Sequence, residues 1–209
     1  MTPKTKLLAL PLALALALTA LFATPATAKN AKIELSPKVK VKGTALPTSA
    51  AVGSASDPAI GEIAPTLVGK GFDGKRVKIG GPGGPRMIVF LSHSCPHCQA
   101  EVPVIVELAD DGVFDGVDVE TVTTNTSDRL PNYPPSKWLK REGWPFPTVL
   151  LDDAKLRAFF GSGGQAFPYF VMLDAAGVVA ARAEGELSKA SIREAAEKLA
   201  AGEPIFRTT

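Results

Sequence analysis

Alternating strand and helix patterns predict an α/β domain whose central sheet is covered by helices on both faces. Three observations carry this expectation. Met87, Ile88, Val89, Phe90 and Leu91 form an unbroken apolar run within Arg86 to Ser92, as expected of a strand buried on both sides. Helical and strand-like segments then alternate as far as Phe160. A hairpin follows, and Ser188 to Ala201 closes the domain as an amphipathic helix with Ile192, Ala195, Ala196 and Leu199 on its inner face.

Taken in order, Met1 to Ala28 has the parts of a secretory signal. Lys4 and Lys6 precede the apolar run Leu7 to Ala23, and Ala26, Thr27 and Ala28 supply the small residues of a cleavage site before Lys29. The alternative is an uncleaved membrane anchor. The run is shorter than the about 20 apolar residues a span requires, is rich in Ala and contains Pro11. Residues 29–58 are rich in Ala, Pro, Ser, Gly and Lys. Ile33 to Val41 has partial strand alternation, whereas Thr44 to Asp57 reads as a flexible spacer, so the folded domain is expected to start near Ala59 and run to residue 209.

Phe72, Asp73, Gly74 and Lys75 form a hairpin turn, and Gly80 to Pro85 a further loop. After the Arg86 to Ser92 strand, Gln99 to Asp110 has helical spacing, with Val102, Ile105, Val106 and Ala109 facing inward and Gly112 and Gly116 ending it. Val117 to Thr123 alternates as a strand, and Asn125 to Pro135 is a polar, Pro-rich loop. Ser136 to Glu142 is expected to be a short helix capped by Ser136 and stopped by Gly143. Thr148 to Leu151 is a brief strand, and Asp153 to Phe160 a helix ended by the glycines at 161–164. Pro168 to Leu173 and Val178 to Ala183 pair through the turn Asp174 to Gly177.

The 23 Lys and Arg nearly balance the 21 Asp and Glu. Loss of Lys4 and Lys6 with a signal peptide would leave 21 of each. A balanced chain has no electrostatic footprint for nucleic acid and none for anionic lipid. It is expected to be a monomer without a cofactor, touching a membrane only if its N-terminus stays uncleaved. Both Cys of the chain lie in Cys95, Pro96, His97, Cys98. An exported protein with no other Cys is not a disulfide-stapled scaffold.

A Cys-x-x-Cys placed between a buried strand and a helix has a physical consequence. Cys95 falls at the helix start, where unpaired N–H groups and the helix dipole favour the thiolate. Cys98 lies one turn later on the same side and should be the more buried. Pro96 suits the first turn, where a missing N–H is no loss. Thiolate Cys95 would attack a partner disulfide and Cys98 would resolve the mixed disulfide, or the reverse would donate a disulfide. Protonated His97 would stabilise the thiolate and tilt the pair towards oxidation, unless it is merely an exposed helix-start residue. A structural disulfide in so small a loop would contribute only about 2 kcal/mol in the loop-closure model. His93, Cys95, His97 and Cys98 also form a set of four soft donors that could take copper or zinc.

The stretch from Val89 to Pro103, with its Cys-Pro-His-Cys centre, resembles thioredoxin-like proteins of the TlpA/ResA type, which are exported bacterial disulfide oxidoreductases. Pro103 matches the proline that kinks the family's active-site helix, and Glu101 a frequent Glu three residues after the second Cys. The resemblance implies a central mixed sheet, with Gly61 to Pro65 and Asp73 to Lys75 in an opening hairpin and Trp144 to Asp152 in a central insertion. Phe167 and Pro168, followed by Tyr169 to Asp174 and Gly177, look like the cis-proline strand and its hairpin. By that resemblance Pro168 is the cis-proline and Phe167 offers its backbone to an extended substrate; Pro147 is the rival. Glu101 would then assist proton transfer at Cys98, or else be a solvated helix-face carboxylate. The Pro-His dipeptide resembles instead the oxidising DsbA type, and Ser94 stands where thioredoxin-like proteins often carry Trp.

Protein thiols and disulfides are therefore the expected partners of an extracytoplasmic oxidoreductase, with Cys95 and Cys98 as its redox disulfide. Two other classes compete. A peroxiredoxin-type peroxidase would consume peroxide, although Ser92 stands where its Thr-x-x-Cys site would place Thr. A copper-binding redox chaperone would retain metal on dialysis.

Overall fold

The computed structural model describes residues 39–161 and 165–206. The segment Met1 to Ala28, read as a secretory signal, and most of the expected Ile33 to Val41 strand lie outside the described residues.

The described residues form two sheets. The first is antiparallel, in the order β1 (Lys40–Lys42), β2 (Thr66–Lys70), β3 (Arg76–Ile79). The second contains β4 (Arg86–Ser92), β5 (Asp118–Thr124), β6 (Thr148–Leu150), β7 (Tyr169–Leu173) and β8 (Val179–Glu184), in the order β6-β5-β4-β7-β8. It is mixed: β4, β5 and β6 run parallel, while β7 is antiparallel to both β4 and β8. The helices are α1 (Pro96–Asp110), α2 (Pro135–Arg141), α3 (Asp153–Phe160) and α4 (Lys189–Ala201).

Strand β4 is the central one, paired on both edges, which is why its apolar run shows no alternation. Successive side chains still point to opposite faces. Met87, Val89 and Leu91 pack with Val102 and Ile105 of α1, Trp138 of α2 and Ile192 of α4. Ile88 and Phe90 pack on the other side with Phe159 and Phe160 of α3 and with Leu67 and Ile79 of the antiparallel sheet. Helices therefore cover both faces, as expected. The β2–β3 hairpin turns at Gly74, whose φ of 78° lies in the left-handed region. Helix α2 and edge strand β6 fall between β5 and α3, in the region of the expected central insertion.

Three local expectations are revised. The stretch Thr44 to Asp57, read as a flexible spacer, is packed onto the domain. Leu46 is buried, and its N–H donates to the Phe159 carbonyl at 2.9 Å. Asp57 is buried and accepts two hydrogen bonds from Arg182 of β8, at 2.6 and 2.8 Å. A composition rich in small and polar residues conceals these few anchors. Helix α2 starts one residue before Ser136: Pro134 occupies the cap position without a side-chain cap bond, and Pro135 stands at the first helical position. Its locked φ suits that place, so a Ser cap is not required. On α1 the buried positions are Cys98, Glu101, Val102, Ile105 and Leu108, whereas Val106 and Ala109 are only half-buried.

Candidate active site

Strand β4 ends at Ser92, and a tight turn returns the Cys95 N–H to the Ser92 carbonyl at 3.1 Å. Cys95 is the N-cap of α1, in extended conformation, and its carbonyl accepts the first helical bond from Gln99 at 3.1 Å. Pro96 at the first helical position has no N–H, so those of His97 and Cys98 are the helix-start donors left without an intrahelical partner. Cys95 is half-buried and Cys98 is completely buried, and both are free thiols. Cys98 lies on the stripe of α1 that packs against the sheet with Val102 and Ile105, whereas Cys95 is the cap, so the two sulfurs differ in access to solvent.

Cys98 receives a hydrogen bond from the Ser92 N–H at 3.4 Å. Burial nevertheless pushes its thiol well above the ordinary range; the Ser92 N–H opposes that rise, while the nearby Cys95 and Glu101 add to it. The Cys95 thiol donates to the Phe167 carbonyl at 3.4 Å, and the Phe167–Pro168 peptide is cis. The second cis peptide among the described residues is Tyr133–Pro134, not the one before Pro147. The CxxC and the Phe167–Pro168 loop, 72 residues apart in sequence, therefore meet at the end of β4.

Glu101 is buried beneath this arrangement, not solvated on the helix face. One carboxylate oxygen accepts from the Leu187 N–H at 3.1 Å, and the other has no hydrogen-bond partner among the described residues. Burial raises its pKa to about 7; the Leu187 N–H works against the rise and the charge of Glu186 works with it. His97 is exposed, and its Nδ1 lies 2.5 Å from the Glu186 carboxylate.

His93 has a different place from the one its spacing suggested. It is fully buried; its Nε2 accepts from the Ser127 N–H at 3.1 Å, so Nδ1 donates to the Pro131 carbonyl at 2.6 Å. With both nitrogens held by backbone groups, His93 is removed from the four-donor metal set. Among the described residues no three His, Cys, Asp or Glu side chains form a cluster that could hold a metal ion. His93 instead clamps the loop that follows β5, and its carbonyl accepts from the side chains of Gln99 at 3.0 Å and Asn132 at 3.4 Å.

Sequence patterns missed the clamp partners Ser127 and Pro131, and also Glu186 and Leu187. The last two belong to the β8–α4 connection, 89 and 86 residues from the side chains they meet. No local periodicity reports which connection will pass over the CxxC. The burial of Glu101 had one available signal: three positions after Cys98, it shares the inner face of α1.

A family model described as Redoxin matches residues 51–199. Solved structures share the thioredoxin-like fold. A thiol:disulfide interchange protein of the thioredoxin family from Chlorobium tepidum is 24% identical, with a TM-score of 0.55, over 66% of this chain and 94% of that one. StoA from Bacillus subtilis is 21% identical, with a TM-score of 0.52, over 66% of this chain and 98% of its own. A secreted Mycobacterium tuberculosis disulfide oxidoreductase homologous to Escherichia coli DsbE is 16% identical, with a TM-score of 0.52, over 62% and 93%. No curated protein matches the sequence significantly.

Proposed function

The chain belongs to the Redoxin family, and from that membership and the geometry at Cys95 we propose that it exchanges disulfides with protein thiols outside the cytoplasm. The single observation that carries this reading is the asymmetry of the two sulfurs. Cys95 is reachable beside the carbonyl that precedes a cis-proline, and Cys98 is closed off one turn behind it.

In the reducing direction the Cys95 thiolate attacks one sulfur of a partner disulfide. A Cys95–partner bond forms, and the partner's second sulfur leaves as a thiolate that takes up a proton. The Phe167 carbonyl, freed of the Cys95 thiol, is placed to accept an N–H from an extended substrate. Cys98 must then lose its proton to attack the mixed disulfide. Glu101 is the candidate acceptor, because a carboxylate with a pKa of about 7 holds a proton well enough to take one and releases it readily near neutrality. Attack by Cys98 on the Cys95 sulfur forms the Cys95–Cys98 disulfide and releases the partner's other thiol. Two electrons and two protons have then passed to the partner.

Export is supported by Lys4, Lys6, the apolar run Leu7 to Ala23 and the small residues before Lys29. It is supported also by the secreted protein among the structural matches. Cys95→Ser is expected to abolish reduction of a disulfide-bonded test protein, whereas Cys98→Ser should accumulate a mixed disulfide visible on non-reducing gels. Failure to trap that adduct would overturn the assigned order of attack. The family match also favours a peroxidase as a second reading. Catalysed consumption of hydrogen peroxide, without turnover of the test disulfide, would select it.

A further inference from the structure

Given the reading of Cys95 and Cys98 as a redox pair, we propose that Glu186 sets its poise by holding His97 and cancelling the positive charge that the imidazole would otherwise present to Cys95. Glu186 is thus a positioning residue, and the centre is more reducing than a Cys-Pro-His-Cys motif with an unpaired His.

The geometry starts from the 2.5 Å contact between His97 Nδ1 and Glu186 Oε1. Both side chains are substantially exposed, so the contact would be of little consequence if Glu186 were free to wander. Its two neighbours prevent that. The Gly185 N–H donates to the Pro168 carbonyl at 2.9 Å, in the cis-proline loop. On the other side the Leu187 N–H donates to the buried Glu101 carboxylate at 3.1 Å. Three consecutive residues are thereby tied to three parts of the site, and the middle one delivers a carboxylate to the helix-start His. The basic group nearest in sequence, Lys189, is engaged elsewhere with Glu107.

The sign of the effect follows from which redox state carries the charge. A cation beside Cys95 stabilises the thiolate, which exists only in the reduced protein, and so makes the disulfide a stronger oxidant. A carboxylate against the imidazolium converts that cation into a neutral pair, whose field at Cys95 falls off faster than that of a single charge. The reduced state loses stabilisation, and the disulfide becomes easier to form.

The test is equilibration of the reduced protein with glutathione. Cys95 and Cys98 each give up one hydrogen as their disulfide forms, and oxidised glutathione takes the two electrons and two protons to become two thiols. Equilibration is repeated at several pH values between about 5.5 and about 8, and the variants are compared at each one, because the effect requires the Cys95 thiolate in the reduced protein. Glu186→Gln is expected to lower the equilibrium constant for disulfide formation by about two- to fivefold, the range for an exposed ion pair. Glu186→Asp, which keeps the charge, should restore most of the parent value. In a His97→Ala background the Glu186→Gln change should disappear. An unchanged constant in Glu186→Gln, or an equal shift with and without His97, would overturn the proposal while leaving the exchange activity standing. A parent protein that forms no Cys95–Cys98 disulfide under oxidised glutathione, as judged by thiol alkylation, would overturn the redox reading itself.

Discussion

Two buried carboxylates on opposite sides of the central sheet meet opposite fates. Asp57 is closed into a bidentate pair with Arg182, and the Ala59 N–H adds a third bond at 3.0 Å. Burial alone would raise its pKa, but those hydrogen bonds and the guanidinium charge together hold it below the ordinary carboxylate value. Among the described residues Glu101 has a single N–H donor, one oxygen without a partner and no cation lowering its pKa, so burial prevails and its pKa rises to about 7. Burial is common to both; the number and charge of donors decides whether a carboxylate is held below or pushed above its ordinary pKa. Asp57 ties the segment before Ala59 to β8, and Glu101 lies near enough to the buried Cys98 thiol to raise its pKa.

The largest effect should come from opening the satisfied pair. Arg182→Leu strands the Asp57 charge in the interior and is expected to lower unfolding stability by about 3–5 kcal/mol. Chemical denaturation of the reduced protein measures it, and a loss below about 1 kcal/mol would mean that water already reaches Asp57.

Next in size is the pH response, where the two groups differ in sign. Glu101 has a folded pKa raised above its unfolded value of 4.5, so the native state binds its proton more tightly than the unfolded chain does. Stability should fall as pH rises from about 4.5 to about 7, by about 3 kcal/mol for this group, and Glu101→Gln should flatten that slope. Asp57, with its pKa lowered from 3.8, contributes stability that is present above that value and lost on acidification below it. Denaturation midpoints at several pH values, for the parent and for Glu101→Gln, separate the two windows. A slope that survives the substitution would assign the titration to another group.

The smallest of the three concerns rate. Glu101→Gln retains size and hydrogen bonding but cannot take a proton, and it should slow resolution of a preformed Cys95 mixed disulfide by about a hundredfold. Stopped-flow release of the partner thiol reads that step directly. A full-speed variant would mean that Cys98 gives its proton to solvent.

Much of the fold was legible because it is written in short-range pattern. The apolar run of β4, the turn at Gly74, the amphipathic stripe of α4 and the strand–CxxC–helix junction each depend on residues within a few positions of one another. The position of Cys95 at the cap follows from the strand–helix junction, and Cys98 shares with Val102 and Ile105 the stripe of α1 that packs on the sheet. The spacer reading failed at Leu46 and Asp57 because one apolar side chain and one carboxylate are enough to anchor a segment of otherwise polar composition. The cap reading failed at Ser136 because a proline one place earlier already starts the helix.

From residue order alone came the sheet's central strand, the paired sulfurs at a helix start and the inequality between them. Those depend on periods of two and 3.6 residues, which any stretch of chain carries within itself. Tertiary structure alone decided that His93 clamps a loop, that Glu101 is buried with one bare oxygen, that Glu186 meets His97 and that Asp57 finds Arg182. Each such contact joins residues 34 to 125 positions apart. Their chemistry is set by which groups the closed fold shuts away from water together, and no local pattern encodes that.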